Sequence, residues 1–252
     1  MMTNINYLKT GKTLFAIAIL AIGLIHLIFQ NFPMGLLPIP AAVPGRLALA
    51  NLTGIGLVAA GIALLFDKLT YYGAIVSGII WLLLIVLFQL PTLMGKLNSP
   101  NTWTGAFECI MLLGGVCLVL GDCFPFNKNP AFKPAPIGRY LYLSGLAVFA
   151  ILHYVYLQFI AMLVPLWLPG HVFWAWLVLI AFILSALSIV VNKKVKPAML
   201  LLSFMFLTWV AILHLPRAFA KTHSEPEWTS TCIALAAGGV ALMMAGKATA
   251  KD

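Results

Sequence analysis

Apolar residues run through this chain in long unbroken blocks, separated by short clusters of proline, glycine and charge. Eight blocks stand out, at about 12–32, 45–66, 70–93, 103–121, 138–165, 169–191, 197–217 and 229–247. A helix crosses a bilayer with about 20 apolar residues. The blocks predict helices rather than barrel strands, because barrel strands alternate apolar and polar positions over about 10 residues. Pro33, Pro38, Pro40 and Pro44 fill the first gap, and Asp67-Lys68 closes the second block. Pro125, Pro130, Pro134 and Pro136 fill a central linker, and Pro165 and Pro169 bracket a short turn. The first block leads into no soluble domain through a small-x-small cleavage site, so it reads as a span rather than a cleaved signal.

Composition agrees. Of 252 residues, 63% are hydrophobic and 8% charged, with a mean hydropathy of +1.05. A water-facing domain carries about a quarter charged residues. The expected class is an all-α integral membrane protein of eight transmembrane helices in the lipid bilayer. The charges then give an orientation. Lys9, Lys12, Lys68, Lys128, Lys133, Arg139, Lys193, Lys194, Lys196, Lys247 and Lys251 fall on the side of both termini, against Arg46, Lys96, Arg217 and Lys221 opposite. Basic residues favour the cytoplasmic side. The expected location is a bacterial-type inner membrane with both termini cytoplasmic. The net charge of +9 is accounted for by topology and implies no nucleic-acid partner.

The two halves resemble each other. At an offset of 125 residues, Pro44-Gly45-Arg46 falls on Pro169-Gly170-His171, and Asp67-Lys68 on Asn192-Lys193. Gln89-Leu90-Pro91 falls on His214-Leu215-Pro216, Trp103-Thr104 on Trp228-Thr229, and Gly114 and Gly121 on Gly239 and Gly246. Before the first loop the offset is 127, pairing Gly11 with Gly138 and His26 with His153. A unit of four spans returns to its starting side, so the copies insert the same way up, unlike the inverted repeats of many transporters. The expected organisation is two parallel-related four-helix bundles, 1–122 and 138–252, joined by a cytoplasmic linker at 123–137.

A His near the outer end of span one, a Pro-Gly opening of span two, a polar-Leu-Pro close to span three and a Trp-Thr opening to span four together resemble the DoxX-like family. The whole chain resembles a tandem of two such units. The resemblance implies a four-helix membrane fold. For function it implies either a subunit of a quinone-linked oxidoreductase, working with a partner redox protein, or a membrane accessory protein.

Polar groups in hydrocarbon are costly and mark function or a packed polar interior. They cluster at the end away from the termini. In the first half these are His26, Arg46, Gln89 and Glu108, a candidate cofactor-binding set in which Arg46 or His26 is the expected partner of Glu108. In the second half His153, His171, His214 and Arg217 form the candidate catalytic set. Arg46 is replaced by His171, Gln89 by His214, Thr92 by Arg217 and Glu108 by Ile233, so two related pockets with different chemistry are expected. His214 and Arg217, three apart, are expected to share a helix face. Imidazoles here suit a quinone carbonyl, with Arg217 stabilising charge that develops on reduction. Three imidazoles also suit a transition metal. Each histidine reads equally as a helix contact.

Cys109, Cys117, Cys123 and Cys232 form no CxxC or zinc-type pair and read as small buried residues. Trp103 and Trp228 read as interfacial anchors. Gly54, Gly61, Gly73, Ser77, Gly114 and Gly239 read as close helix contacts. No P-loop, dinucleotide fingerprint, c-type haem motif or nucleophile elbow is present. Two readings remain open: a quinone-linked redox component with an extracytoplasmic-facing His/Arg pocket, or a non-enzymatic accessory, scaffold or small-molecule carrier.

Overall fold

The computed structural model describes residues 6–123 and 134–248. It is all-helical, and eight helices are long and apolar enough to cross a membrane. In order they are α1 (Tyr7–Ile28), α2 (Arg46–Leu65), α3 (Thr70–Leu84) continued by a π turn (Ile85–Gln89) and α4 (Leu90–Gly95), and α5 (Pro100–Cys123). The second half has α6 (Pro134–Val155), a short α7 (Leu157–Leu163), α8 (His171–Val191), α9 (Val195–Trp209) continued by a π turn (Val210–His214) and α10 (Leu215–Ala220), and α11 (Glu225–Lys247).

The repeat is visible in these bounds. Tyr7 and Pro134, and Ile28 and Val155, are each 127 apart, while the two π turns are 125 apart at both ends. The Pro-Gly openings have one cause. Gly45 and Gly170 are the N-caps of α2 and α8 at φ 67° and 75°, in the left-handed region where a Cβ is penalised. The π turns have another. Pro91 and Pro216 lack the N–H that would bond four residues back, so the helix widens just before them.

Two spans differ from the sequence expectation. The first block, expected to reach residue 32, leaves the helix after Ile28, and Gln30 takes φ 47° ahead of Pro33. The fifth, expected as one span over 138–165, starts at Pro134 and breaks at Tyr156, so α7 is a separate short helix. A helix of 22 residues at about 1.5 Å each already spans the bilayer. Most of the expected linker, residues 124–133, lies outside the described residues.

The repeats interlock. Each repeat's first helix packs as extensively on the last helix of the other repeat (α1 on α11, α6 on α5) as α1 does on α2. Glycines allow both seams. A Cβ on Gly11 would lie 2.5 Å from the Gly239 carbonyl oxygen, and one on Gly138 2.5 Å from that of Gly114. Small residues that let backbones touch are the usual means of helix association in lipid.

At the end carrying the termini the halves repeat one contact in two chemistries. Lys12 Nζ donates to Asp67 Oδ1 at 2.7 Å, and Arg139 Nη2 donates to Asn192 Oδ1 at 2.6 Å. The Lys12 ammonium holds the Asp67 carboxyl below the usual carboxylate range. A lowered folded pKa means that the pair's contribution is complete at neutral pH and fades only as acid protonates Asp67. Asp67 is exposed, so the contribution is small. Asp67→Asn, which copies the second-half contact, is expected to leave the thermal midpoint at pH 7 unchanged. A drop at pH 7 would show that the charge, rather than the hydrogen bond, holds α1 to the α2–α3 turn.

Candidate functional site

Two histidines, His26 buried and His153 partly buried, start the site. His26 near the end of α1 has Nδ1 2.8 Å from the Ile22 carbonyl, and His153 near the end of α6 has Nδ1 3.0 Å from that of Phe149. A carbonyl only accepts, so Nδ1 carries the proton and the neutral ring keeps Nε2 as an acceptor. The same local geometry recurs in both repeats, yet the surroundings differ.

In the first repeat the space is filled. The loop after α1 turns Phe32, Leu36, Leu37 and Ile39 inward, all essentially fully buried. Phe32 lies edge-on to the His26 ring, and Gln89, which ends the first π turn, donates from Nε2 to the Leu36 carbonyl. Gly105 makes room for that carbonyl, since a Cβ there would lie 2.7 Å from it. His26 Nε2 is buried without a partner among the described residues. Arg46 turns to the same loop, donating from Nε to the Ile39 carbonyl at 3.1 Å. His26 and Gln89 are thus shut away by the loop rather than arranged around an open pocket.

In the second repeat the space is open. A cavity of about 600 Å³ is lined by His153, by His214 at the end of the second π turn, and by Glu108, with Thr104, Ser230 and Tyr156 among aromatic walls that include Phe149, Phe182 and Phe206. A smaller chamber of about 210 Å³ shares His153, His214, Phe182 and Phe206 with it. The cause is legible in glycines. Gly23 and Gly54 bring α1 and α2 together, and a Cβ on Gly23 would lie 2.6 Å from the Val58 nitrogen. Their counterparts in α6 and α8 are Ala150 and Leu179, which hold those helices further apart. The plug's counterpart is α7, whose Phe159 and Ile160 line the cavity instead of filling it.

Glu108 corrects the sequence expectation most directly. Its expected partners were Arg46 or His26 in its own unit. Instead α5 packs on α6, so Glu108 faces the second-repeat cavity, and among the described residues it has no hydrogen-bond or ion-pair partner. The candidate catalytic set is divided. His153 and His214 meet at the cavity; His171, the first residue of α8, and Arg217 do not line it. Arg217 is held by a forked ion pair with Glu227, at 3.0 Å from Nε and 2.8 Å from Nη2, and Lys221 adds a third contact at 3.4 Å. The ion pair with Glu227 is why Arg217 does not join His214 at the cavity. The step from His214 to Arg217 is regular helix (Leu215–Ala220), so spacing does not part them; the Glu227 carboxylate, which does not line the cavity, holds the guanidinium away from it. Among the described residues, no group of three or more His, Cys, Asp or Glu side chains is arranged to hold a metal ion.

Sequence reasoning missed Thr104, Tyr156 and Ser230. Ser230 sits at the position of Gly105 in the first repeat, and that difference was the available signal. Trp103 and Trp228 each donate from Nε1 to a carbonyl six residues earlier, Leu97 and Thr222, both at 3.0 Å, so they pin the loops ahead of α5 and α11. No family model, curated protein or solved structure matches this chain.

Proposed function

We propose that this protein is a quinone-linked membrane component, of the DoxX-like kind its motifs resemble, that binds a quinone-type ring in the second-repeat cavity. One observation carries the reading. Glu108 from one repeat and His153 and His214 from the other line a single, otherwise largely apolar cavity within the spans. Ionisable groups at that depth mark a site by default. His214 donates to one ring oxygen, His153 Nε2 accepts from the hydroxyl that the other becomes on reduction, the aromatic walls hold the ring faces, and Glu108 exchanges a proton. Reduction of a quinone to a quinol takes two electrons and two protons. Glu108 passes one proton at a time and is recharged from water between the two transfers, and the electrons come from a partner redox protein or an extracytoplasmic reductant. The excess of Lys and Arg at the termini supports placing that end in the cytoplasm of an inner membrane.

A second reading, binding or carriage without electron transfer, is favoured by one feature: Arg217, the cation expected to stabilise a reduced ring, is engaged by Glu227 outside the cavity. The test is titration of purified protein with a tail-less dimethoxy-methylbenzoquinone, followed by tryptophan quenching, beside a quinol-linked electron-transfer assay. Glu108→Leu is expected to weaken binding about tenfold, the equivalent of one hydrogen bond lost from its protonated carboxyl to a ring carbonyl. Unchanged affinity would sink the site. Binding without turnover in a reconstituted system would select the carrier reading.

A further inference from the structure

The glycine differences between the repeats extend to the next pair of helices. In the first repeat Gly73 lets α3 lie against α2, where a Cβ would come 2.7 Å from the Ala60 carbonyl oxygen. In the second repeat the equivalent residue is Ala198, and α8 and α9 stand apart. Between them runs an apolar groove of about 680 Å³, from Trp174 and Trp209 at the cavity end to Lys194 at the end carrying the termini. It follows most of the length of α8, 21 residues, about the hydrocarbon thickness. Its rim faces the bilayer, with Leu201 and Phe204 largely exposed.

The groove ends where the cavity begins. Trp174, Met205 and Trp209 line both the groove and the inner chamber that holds His153 and His214. The two indoles meet edge to face, 6.1 Å between centroids. They are not equally held. Trp174 Nε1 donates to the Pro169 carbonyl at 2.9 Å, whereas Trp209 has no such bond among the described residues. Trp209 also stands at the junction of α9 and the π turn.

We infer that the α8–α9 groove seats the long apolar tail of the molecule whose polar ring occupies the cavity, and that this ligand enters sideways from the bilayer past Trp209. The inference rests on the ring-binding reading above and narrows it to a tailed, membrane-dissolved ligand. Continuity of groove and cavity through one aromatic pair is what selects a single molecule with a polar head and an apolar tail.

The test uses the full-length protein and two probes, the benzoquinone ring with a decyl tail and the same ring without one. Ala198→Phe and, separately, Ala181→Phe fill the groove from its wall, and both are checked for an unchanged thermal midpoint. The groove opens to lipid, so a displaced tail loses packing against the groove walls rather than shelter from water, and each substitution is expected to weaken the decyl probe severalfold. The tail-less ring is expected to bind as in the wild type. As a second measurement, a diazirine at the tail end of the decyl probe is expected to crosslink to α8 or α9. Equal weakening of both probes, no weakening of either, or crosslinks confined to other helices would overturn the groove assignment while leaving the ring site standing. A wild type that binds neither probe would overturn the ring-binding reading, and the groove with it.

Discussion

Gly11→Val is expected to destabilise the protein by about 3 kcal/mol, at the upper end of what overpacking costs, and to cut the yield of monodisperse protein sharply. The obstacle to a side chain at Gly11 is backbone: the Gly239 carbonyl oxygen at 2.5 Å and the Met243 nitrogen at 2.6 Å from an added Cβ. A flexible side chain could rotate away, but two helix backbones can only separate. Separation along α1 and α11 opens one of the two seams that join the repeats. A domain stable by about 5–15 kcal/mol loses a large fraction of that margin. Gly138→Val, at the other seam, is expected to behave alike. Gly35→Ala is the control, because nothing lies within 4 Å of a Cβ there. Thermal midpoints in detergent and size-exclusion profiles read the outcome. A Gly11→Val protein as stable as Gly35→Ala would mean that the seam is not packed as described.

That prediction reflects what the sequence made legible and what it did not. Eight spans, the repeat and the small residues Gly114 and Gly239 could all be read from the apolar blocks and a constant offset. Which helices those glycines join could not, because an offset between copies says nothing about whether a helix packs within its own copy or across to the other. Glu108 was misassigned for this reason. It was placed with His26 and Arg46 on the assumption that each unit closes on itself, but α5 packs on α6, so its inner face belongs to the other repeat's cavity. The π turns were hidden as well. Their signal was Pro91 and Pro216, each two residues after the polar residue it re-aims, which read only as helix punctuation. The open cavity was legible in principle. Gly23, Gly54 and Gly73 become Ala150, Leu179 and Ala198 in the second copy, and helices that lose their glycines cannot approach as closely. Arg217 shows the limit of spacing arguments, since a shared helical turn does not say which carboxylate a long side chain reaches.

The same pair of positions is expected to answer oppositely in the two repeats. His153→Ala/His214→Ala is expected to lower affinity for the reduced, quinol form of the ring about a hundredfold, two hydrogen bonds at about 1.4 kcal/mol each, with little change in thermal midpoint. Both side chains border open space, so their removal enlarges a cavity that already exists. Gln89→Leu, at the position of His214, is expected to leave ring binding untouched and to cost about 1–3 kcal/mol of stability, the usual penalty for an unpaired buried polar group. Its amide donates to the Leu36 carbonyl, which would lose that partner inside the packed loop. His26→Ala is expected to follow Gln89→Leu. His26 is fully buried against Phe32, and truncation leaves a void that the surrounding helices fill only in part. Titration and thermal unfolding of these three variants beside the wild type separate the two effects. If the first-repeat variants lose ring affinity while the second-repeat double variant keeps it, the binding site belongs to the first repeat, and the loop at residues 29–45 is a lid rather than a plug.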